Sequence, residues 1–199
     1  MRKILFGLIL FGLNIQIYAY DKSKLEEDWQ HTPFELYLDA QEAYNLKFYN
    51  PYTILFLDVR NQAELHYTGI PDLIDANIPY KFDTTEWTSK GNGESGIFQM
   101  KLNPHFVEDV ENLLKIKKKN KESPIIIMCA TGARAPFAVK KLYKAGFKKV
   151  YVQVEGFEGI RAKKGINKGK RVVSGWKVRN LPWSYDLPSQ KMYFNYNTQ

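Results

Sequence analysis

The stretch Pro124-Ile125-Ile126-Ile127-Met128-Cys129-Ala130-Thr131-Gly132-Ala133-Arg134-Ala135-Pro136 decides how this chain folds. The apolar run up to Met128 is short and isoleucine-rich, the pattern of a strand buried on both faces as in a parallel sheet. Cys129 to Arg134 reads as a loop, and Pro136 to about Ala145 as a helix stopped by Gly146. In open α/β sheets sites gather where strand C-termini meet helix N-termini. A turn there points backbone N–H groups inward and the helix adds its positive end. Gly132 allows the positive φ that a curled loop needs. Such surroundings favour a thiolate over a thiol, and Arg134 contributes a permanent charge with a forked donor set.

The flanking sequence repeats the alternation. Ile54-Leu55-Phe56-Leu57 is a second buried strand ending in Asp58-Val59-Arg60, and Val150 to Val154 is a third. Phe34 to Leu38 and Ala76-Asn77-Ile78-Pro79 read as shorter strands. Asp39 with Glu42, and Asn61 with Glu64, have capping-box spacing, so they start helices running to about Tyr49 and Tyr67. Phe106, Val110, Leu113 and Leu114 share one helical face behind a predicted cap at Asn103-Pro104. Phe82 to Leu102, with Gly91, Gly93 and Gly96, reads as a loop. Strands alternating with helices predict a three-layer α/β domain around a central parallel sheet.

The 199 residues, 44% hydrophobic and 25% charged, suit one domain. Arg2 and Lys3 followed by the apolar run Ile4 to Leu13 and by Ile17-Tyr18-Ala19 have the layout of a cleaved secretory signal over residues 1–19. Asn14 and Gln16 cut the run short of a spanning helix, so no stable membrane insertion is expected after cleavage. Residues 20–31 form an arm, 32–185 the domain with a basic and aromatic extension, and 186–199 a tail. Loss of Arg2 and Lys3 takes the net charge from +8 to +6. In a periplasmic or secreted protein that charge points to small anions or acidic proteins rather than nucleic acid.

Exported chains usually pair their cysteines, yet Cys129 stands alone. By count it is either a buried passive side chain or a free reactive thiol. The local sequence favours the reactive thiol. Leu57-Asp58-Val59-Arg60-Asn61-Gln62-Ala63-Glu64-Leu65, then Gly69, Ala76-Asn77-Ile78-Pro79 and Cys129-Ala130-Thr131-Gly132-Ala133-Arg134, resemble the rhodanese family of sulfurtransferases in motif and order. Gly175-Trp176 with Leu181-Pro182-Trp183 resembles the end of such domains.

The resemblance implies a thiosulfate-sulfurtransferase type of reaction through a Cys129 persulfide, with Ala130, Thr131, Gly132, Ala133 and Arg134 as the loop that holds it. No metal or organic cofactor is implied. The related dual-specificity phosphatases carry one more loop residue, so the loop length favours sulfur transfer over a phosphatase or arsenate reductase. A sulfur carrier without turnover is the other alternative. Ala130 occupies a position where many thiosulfate users have a basic side chain, which leaves thiosulfate, polysulfide, persulfide and protein donors open. A lone thiol in an oxidising compartment also implies a periplasmic thiol or redox protein as partner.

Asp58 and Arg60, at a strand end facing the site, are read as supporting residues: Asp58 accepting loop N–H bonds and Arg60 paired with Glu64 four residues on. His31, His66 and His105 have no metal-binding spacing. The segment Arg161 to Arg171, with no acid, is read as a solvated loop, able to dock an acidic partner or flank the path of an anionic donor. Trp176 and Trp183 are expected in the core, and Trp87 is left between pocket and core.

Overall fold

Ile125, Ile126, Ile127 and Met128 are all wholly buried, at the centre of a five-stranded sheet. The computed structural model describes residues 20–194, and the signal segment 1–19 lies outside the described residues. In chain order the elements are β1 (Tyr37–Leu38), α1 (Ala40–Tyr49), β2 (Leu55–Asp58), α2 (Gln62–Thr68), β3 (Ile70–Pro71) and β4 (Ala76–Asn77). There follow β5 (Lys81–Lys90), β6 (Ser95–Leu102), α3 (Phe106–Ile116), β7 (Ile125–Met128), α4 (Ala135–Lys144), β8 (Val150–Gln153) and β9 (Trp183–Ser184). The main sheet has the order β1-β8-β7-β2-β4, with every pair parallel.

The strand period of two divides the core. Ile125, Ile127 and Cys129 join Phe106, Val110 and Leu114 of α3 and Ala138, Val139 and Leu142 of α4 on one face. Ile126 and Met128 join Ala43 and Leu46 of α1, Leu65 of α2 and Trp176 on the other. Because both faces are covered, the strands are apolar runs and not alternating ones. This is the three-layer arrangement the sequence predicts.

Both predicted capping boxes form. Asp39 and Glu42 exchange side-chain-to-backbone bonds at the start of α1, and Asn61 and Glu64 do so at α2. The predicted cap at Asn103 is corrected: His105 is the N-cap of α3. The Asn103 side chain instead accepts from the His105 N–H at 2.9 Å and donates to Pro79 O at 3.0 Å, tying the helix entrance to the chain after β4.

The predicted loop Phe82 to Leu102 is also corrected. It is an antiparallel hairpin, β5 with β6, closed by a turn in which Gly93 N–H donates to Lys90 O at 3.1 Å. Most of its residues are exposed, so no apolar face marked the strands. Trp87 and Phe98 meet edge to face across it, both largely exposed. Trp176 lies in the core, its Nε1 donating to Pro182 O at 2.9 Å. Trp183 packs partly buried against the same cluster, on a short strand pair that joins β9 to β3. The N-terminal arm forms two short 3-10 turns and lies on α4, where Trp29 stacks on Phe137.

Candidate active site

Cys129 follows β7 directly, and the next five residues curl back to the N-terminus of α4. Its carbonyl accepts from Phe157 N–H at 2.8 Å. The Ala130 carbonyl accepts from both Glu158 N–H at 2.8 Å and Gly159 N–H at 3.2 Å. The loop is thereby laced to the chain leaving β8. Gly132 has φ +80°, and a Cβ there would lie 1.9 Å from the Val154 carbonyl oxygen. Only glycine meets both conditions.

The end of the curl brings Arg134 N–H to 3.3 Å from Cys129 Sγ, a backbone donor aimed at the sulfur. Cys129 is fully buried and Ala130 nearly so, whereas Thr131 is half-buried and Ala133 exposed. The sulfur therefore sits beneath its loop, on the α3/α4 side of the sheet.

Arg134 does not offer a free guanidinium. Its Nη1 donates to Glu64 Oε2 at 2.7 Å and its Nη2 to Glu64 Oε1, while Met100 of β6 lies 3.9 Å from Nη1. Burial works against the charged guanidinium, but the Glu64 hydrogen bonds and charge outweigh it, with smaller help from Cys129 and Asp58. The net effect raises its pKa.

The expected pairing of Arg60 with Glu64 is corrected. Arg60 Nε lies 3.0 Å from each Asp58 carboxylate oxygen, and both side chains are fully buried. The other Arg60 nitrogens donate to Thr68 Oγ1 at 2.7 Å and Gly69 O at 2.9 Å, and the guanidinium lies 4.1 Å from the Phe157 ring centre. Asp58 accepts the Arg60 backbone N–H at 3.0 Å, and no N–H of the cysteine loop. This pair braces the end of β2 from inside. Arg60 faces its own strand end because a two-residue reach closes a tight ring there. Glu64, held on α2 by its capping box, projects across to Arg134.

Three contributors escaped the sequence reading as site residues. Glu64 had a local role that concealed its second one. Met100 belongs to the hairpin taken for a loop. Asn77, quoted only within a motif, donates from Nδ2 to Asp58 O at 2.9 Å and Arg60 O at 2.7 Å, fixing the neighbouring strand end. A polar residue in the predicted strand Ala76-Asn77-Ile78-Pro79 was the available signal. His66 lies on α2, its ring edge to face with Tyr67 at 4.9 Å between centres.

Residues 39–163 match the family model for the rhodanese-like domain. An uncharacterized protein of Rickettsia prowazekii is 30% identical over 146 residues, covering 73% of this chain and 94% of that protein. The crystal structure of Rv0390 from M. tuberculosis superposes with a TM-score of 0.53 at 23% identity, covering 75% of this chain and 97% of the other, a likeness of fold. The solution structure of a polysulfide-sulfur transferase homodimer from Wolinella succinogenes matches at TM-score 0.40 and 24% identity, covering 80% of each chain. Because the family model spans more than half of its length, the chain belongs to the rhodanese-like family.

Proposed function

We propose that this chain is an exported sulfurtransferase that carries a sulfane sulfur on Cys129 from a donor to a thiol or cyanide acceptor. The observation that carries this reading is the backbone N–H of Arg134 directed at Cys129 Sγ from the far end of the loop. An N–H at that position stabilises the thiolate on Sγ, both before it attacks the donor and when it leaves in the second half-reaction.

In the first half-reaction the Cys129 thiolate attacks the outer sulfur of a persulfide or polysulfide. A new S–S bond forms, the donor's S–S bond breaks, and its electron pair leaves on the donor thiolate. In the second, an acceptor thiolate or cyanide attacks the outer sulfur of the Cys129 persulfide. The Cys129 thiolate leaves, and the acceptor departs as persulfide or thiocyanate. No net oxidation occurs. The only charged side chain of the loop is engaged by Glu64, and Ala130 and Thr131 are neutral, so a singly charged organic persulfide suits the site better than a dianion such as thiosulfate or inorganic polysulfide.

The complete burial of Cys129 favours a second reading, a sulfur carrier whose loop is opened by its partner. Export rests on residues 1–19 and the partner on the chemistry of a solitary thiol: a periplasmic thiol or redox protein that restores it. Among the described residues no helix is long and apolar enough to cross a membrane.

The test is incubation of the protein with polysulfide, thiosulfate or a small persulfide, with intact mass and thiocyanate formation recorded beside Cys129→Ser. The expected result is a gain of one sulfur and turnover with cyanide, both lost in the variant. Sulfur gain without turnover selects the carrier. Absence of both with every donor rejects sulfur transfer.

A further inference from the structure

The segment 160–174 leaves the domain and returns to within touching distance of its start. A Cβ on Gly159 would lie 1.5 Å from Ser174 O, and one on Gly175 would lie 2.6 Å from Gly159 Cα, so two glycines let the loop ends meet. Between them the chain forms a small hairpin. Arg161 bridges Arg171, Ala162 N–H donates to Lys170 O at 2.8 Å, Gly169 N–H to Ala162 O at 2.8 Å, and Val173 N–H to Ile160 O at 3.3 Å. Closed ends and internal bonding define an Ω-type loop, an element that is frequently functional.

The tip combines charge with an apolar side chain. Arg161, Lys163, Lys164, Lys168, Lys170 and Arg171 lie on this loop with no carboxylate among them. Arg171 is used as a brace, donating to Gly159 O at 2.8 Å beside Glu158. The four lysines are exposed. Between them Ile166 stands 95% exposed, and Ile160, Val172 and Val173 are exposed at 46%, 43% and 58% along the stem. Aliphatic groups held in water by a hydrogen-bonded hairpin gain from any apolar phase they enter.

We propose that this loop seats the protein on an anionic phospholipid surface, with Ile166 entering the boundary between head groups and acyl chains and the lysines meeting the lipid phosphates. Interfacial binding rests on buried apolar area plus attraction of cations to anionic lipids. Each Lys or Arg near such a surface strengthens partitioning about fivefold. A protein partner fits less well, because protein interfaces are enriched in aromatic residues and depleted in lysine, and the loop contains no aromatic residue. Single-stranded nucleic acid is ordinarily held by aromatic stacking, which the loop does not provide either.

The location adds a consequence. Glu158 and Gly159, from which the loop departs, bond the Ala130 carbonyl behind Cys129. A protein seated by this loop holds its cysteine loop at the membrane-facing end of the sheet.

The test uses the full chain, with hydrogen exchange and vesicle co-sedimentation. Vesicles of phosphatidylcholine with phosphatidylglycerol are expected to slow exchange of the amides at residues 163–168, and phosphatidylcholine alone is not. The apolar N-terminus is common to all variants, so exchange at the loop amides is the readout specific to the loop. Replacement of Lys163, Lys164, Lys168 and Lys170 by glutamine, or Ile166→Asp, abolishes that protection, and the lysine set loses at least about tenfold in loop-dependent affinity. The thermal midpoint of each stays at the wild-type value, because these side chains are exposed. Unchanged loop exchange on anionic vesicles, or variants protected like wild type, overturns the proposal. So does protection by polyglutamate or DNA in place of vesicles, which assigns the loop to an acidic macromolecule.

Discussion

The carboxylate of Glu64 grips the guanidinium of Arg134 with both oxygens, tying the last residue of the cysteine loop to the first turn of α2. The pair is mostly but not wholly buried, with side-chain exposures of 15% for Arg134 and 23% for Glu64. It leaves the loop with little cationic character of its own toward an incoming donor.

Glu64→Gln releases that charge while preserving the capping box, because glutamine serves at the third helical position. Thiosulfate use is expected to improve about tenfold relative to a small organic persulfide, the worth of one charge-assisted hydrogen bond. Stability falls by about 1–2 kcal/mol, between the values for exposed and buried pairs. Thiocyanate assays with both donors check this. An unchanged donor ratio in a folded variant contradicts the view that Glu64 governs donor charge.

Gly132→Ala sets a methyl against the Val154 carbonyl in a backbone region that side chains disfavour. Urea denaturation is expected to show a loss of about 3 kcal/mol or more, and persulfide formation falls in the fraction that still folds because the Arg134 N–H moves away from Sγ. A near-wild-type midpoint with full persulfide yield would mean that the loop does not need this curl.

The Asp58 and Arg60 pair predicts strong coupling. Asp58→Asn alone leaves a buried guanidinium without its counter-charge, a loss of about 3–5 kcal/mol. The double variant Asp58→Leu, Arg60→Met costs less than the sum of the two single changes. Persulfide yield per folded molecule of Asp58→Asn stays near wild type, as befits a brace. Additive losses in denaturation would break this account.

Alkaline stability carries the mark of Tyr193. Its hydroxyl donates to Asp109 Oδ2 at 2.9 Å, and burial, followed by that hydrogen bond and the Asp109 charge, pushes its pKa from 10.0 up to about 12. Between these values the unfolded chain loses the phenolic proton before the folded one does. The folded state then binds more protons, and stability falls as pH rises. The contribution is complete below about pH 10 and disappears as the folded value is passed. Tyr193→Phe is expected to flatten part of the decline in thermal midpoint between about pH 10 and about pH 12. A decline of unchanged slope would show that the tail is not anchored through this group. Tyr80 and Tyr20, which burial also raises, contribute in the same direction.

The strands β2, β7 and β8 were legible because burial on both faces leaves continuous apolar runs. The helices α1 and α2 announced themselves through capping boxes, whose partners lie three residues apart. The hairpin from β5 to β6 was not legible. Its strands pair with one another and bury little, so no face is selected for apolarity. Asn103 does bond the helix entrance, but its side chain accepts the His105 N–H and is held across the fold by Pro79 O, so the N-cap falls two residues later, at His105.

At the site, sequence alone determined the strand–loop–helix order, Cys129 as the lone thiol, and a glycine at Gly132 free to take positive φ. These depend on residue types within one short stretch. Which carboxylate neutralises which guanidinium was decided only in three dimensions. Glu64 and Arg134 are 70 residues apart, and nothing local distinguishes Glu64 from Asp58 as a partner for either arginine. Packing α2 and α4 at the same end of the sheet placed Glu64 opposite Arg134 and closed Arg60 onto Asp58. Charges choose partners by distance and burial, and those quantities exist only after the chain has folded.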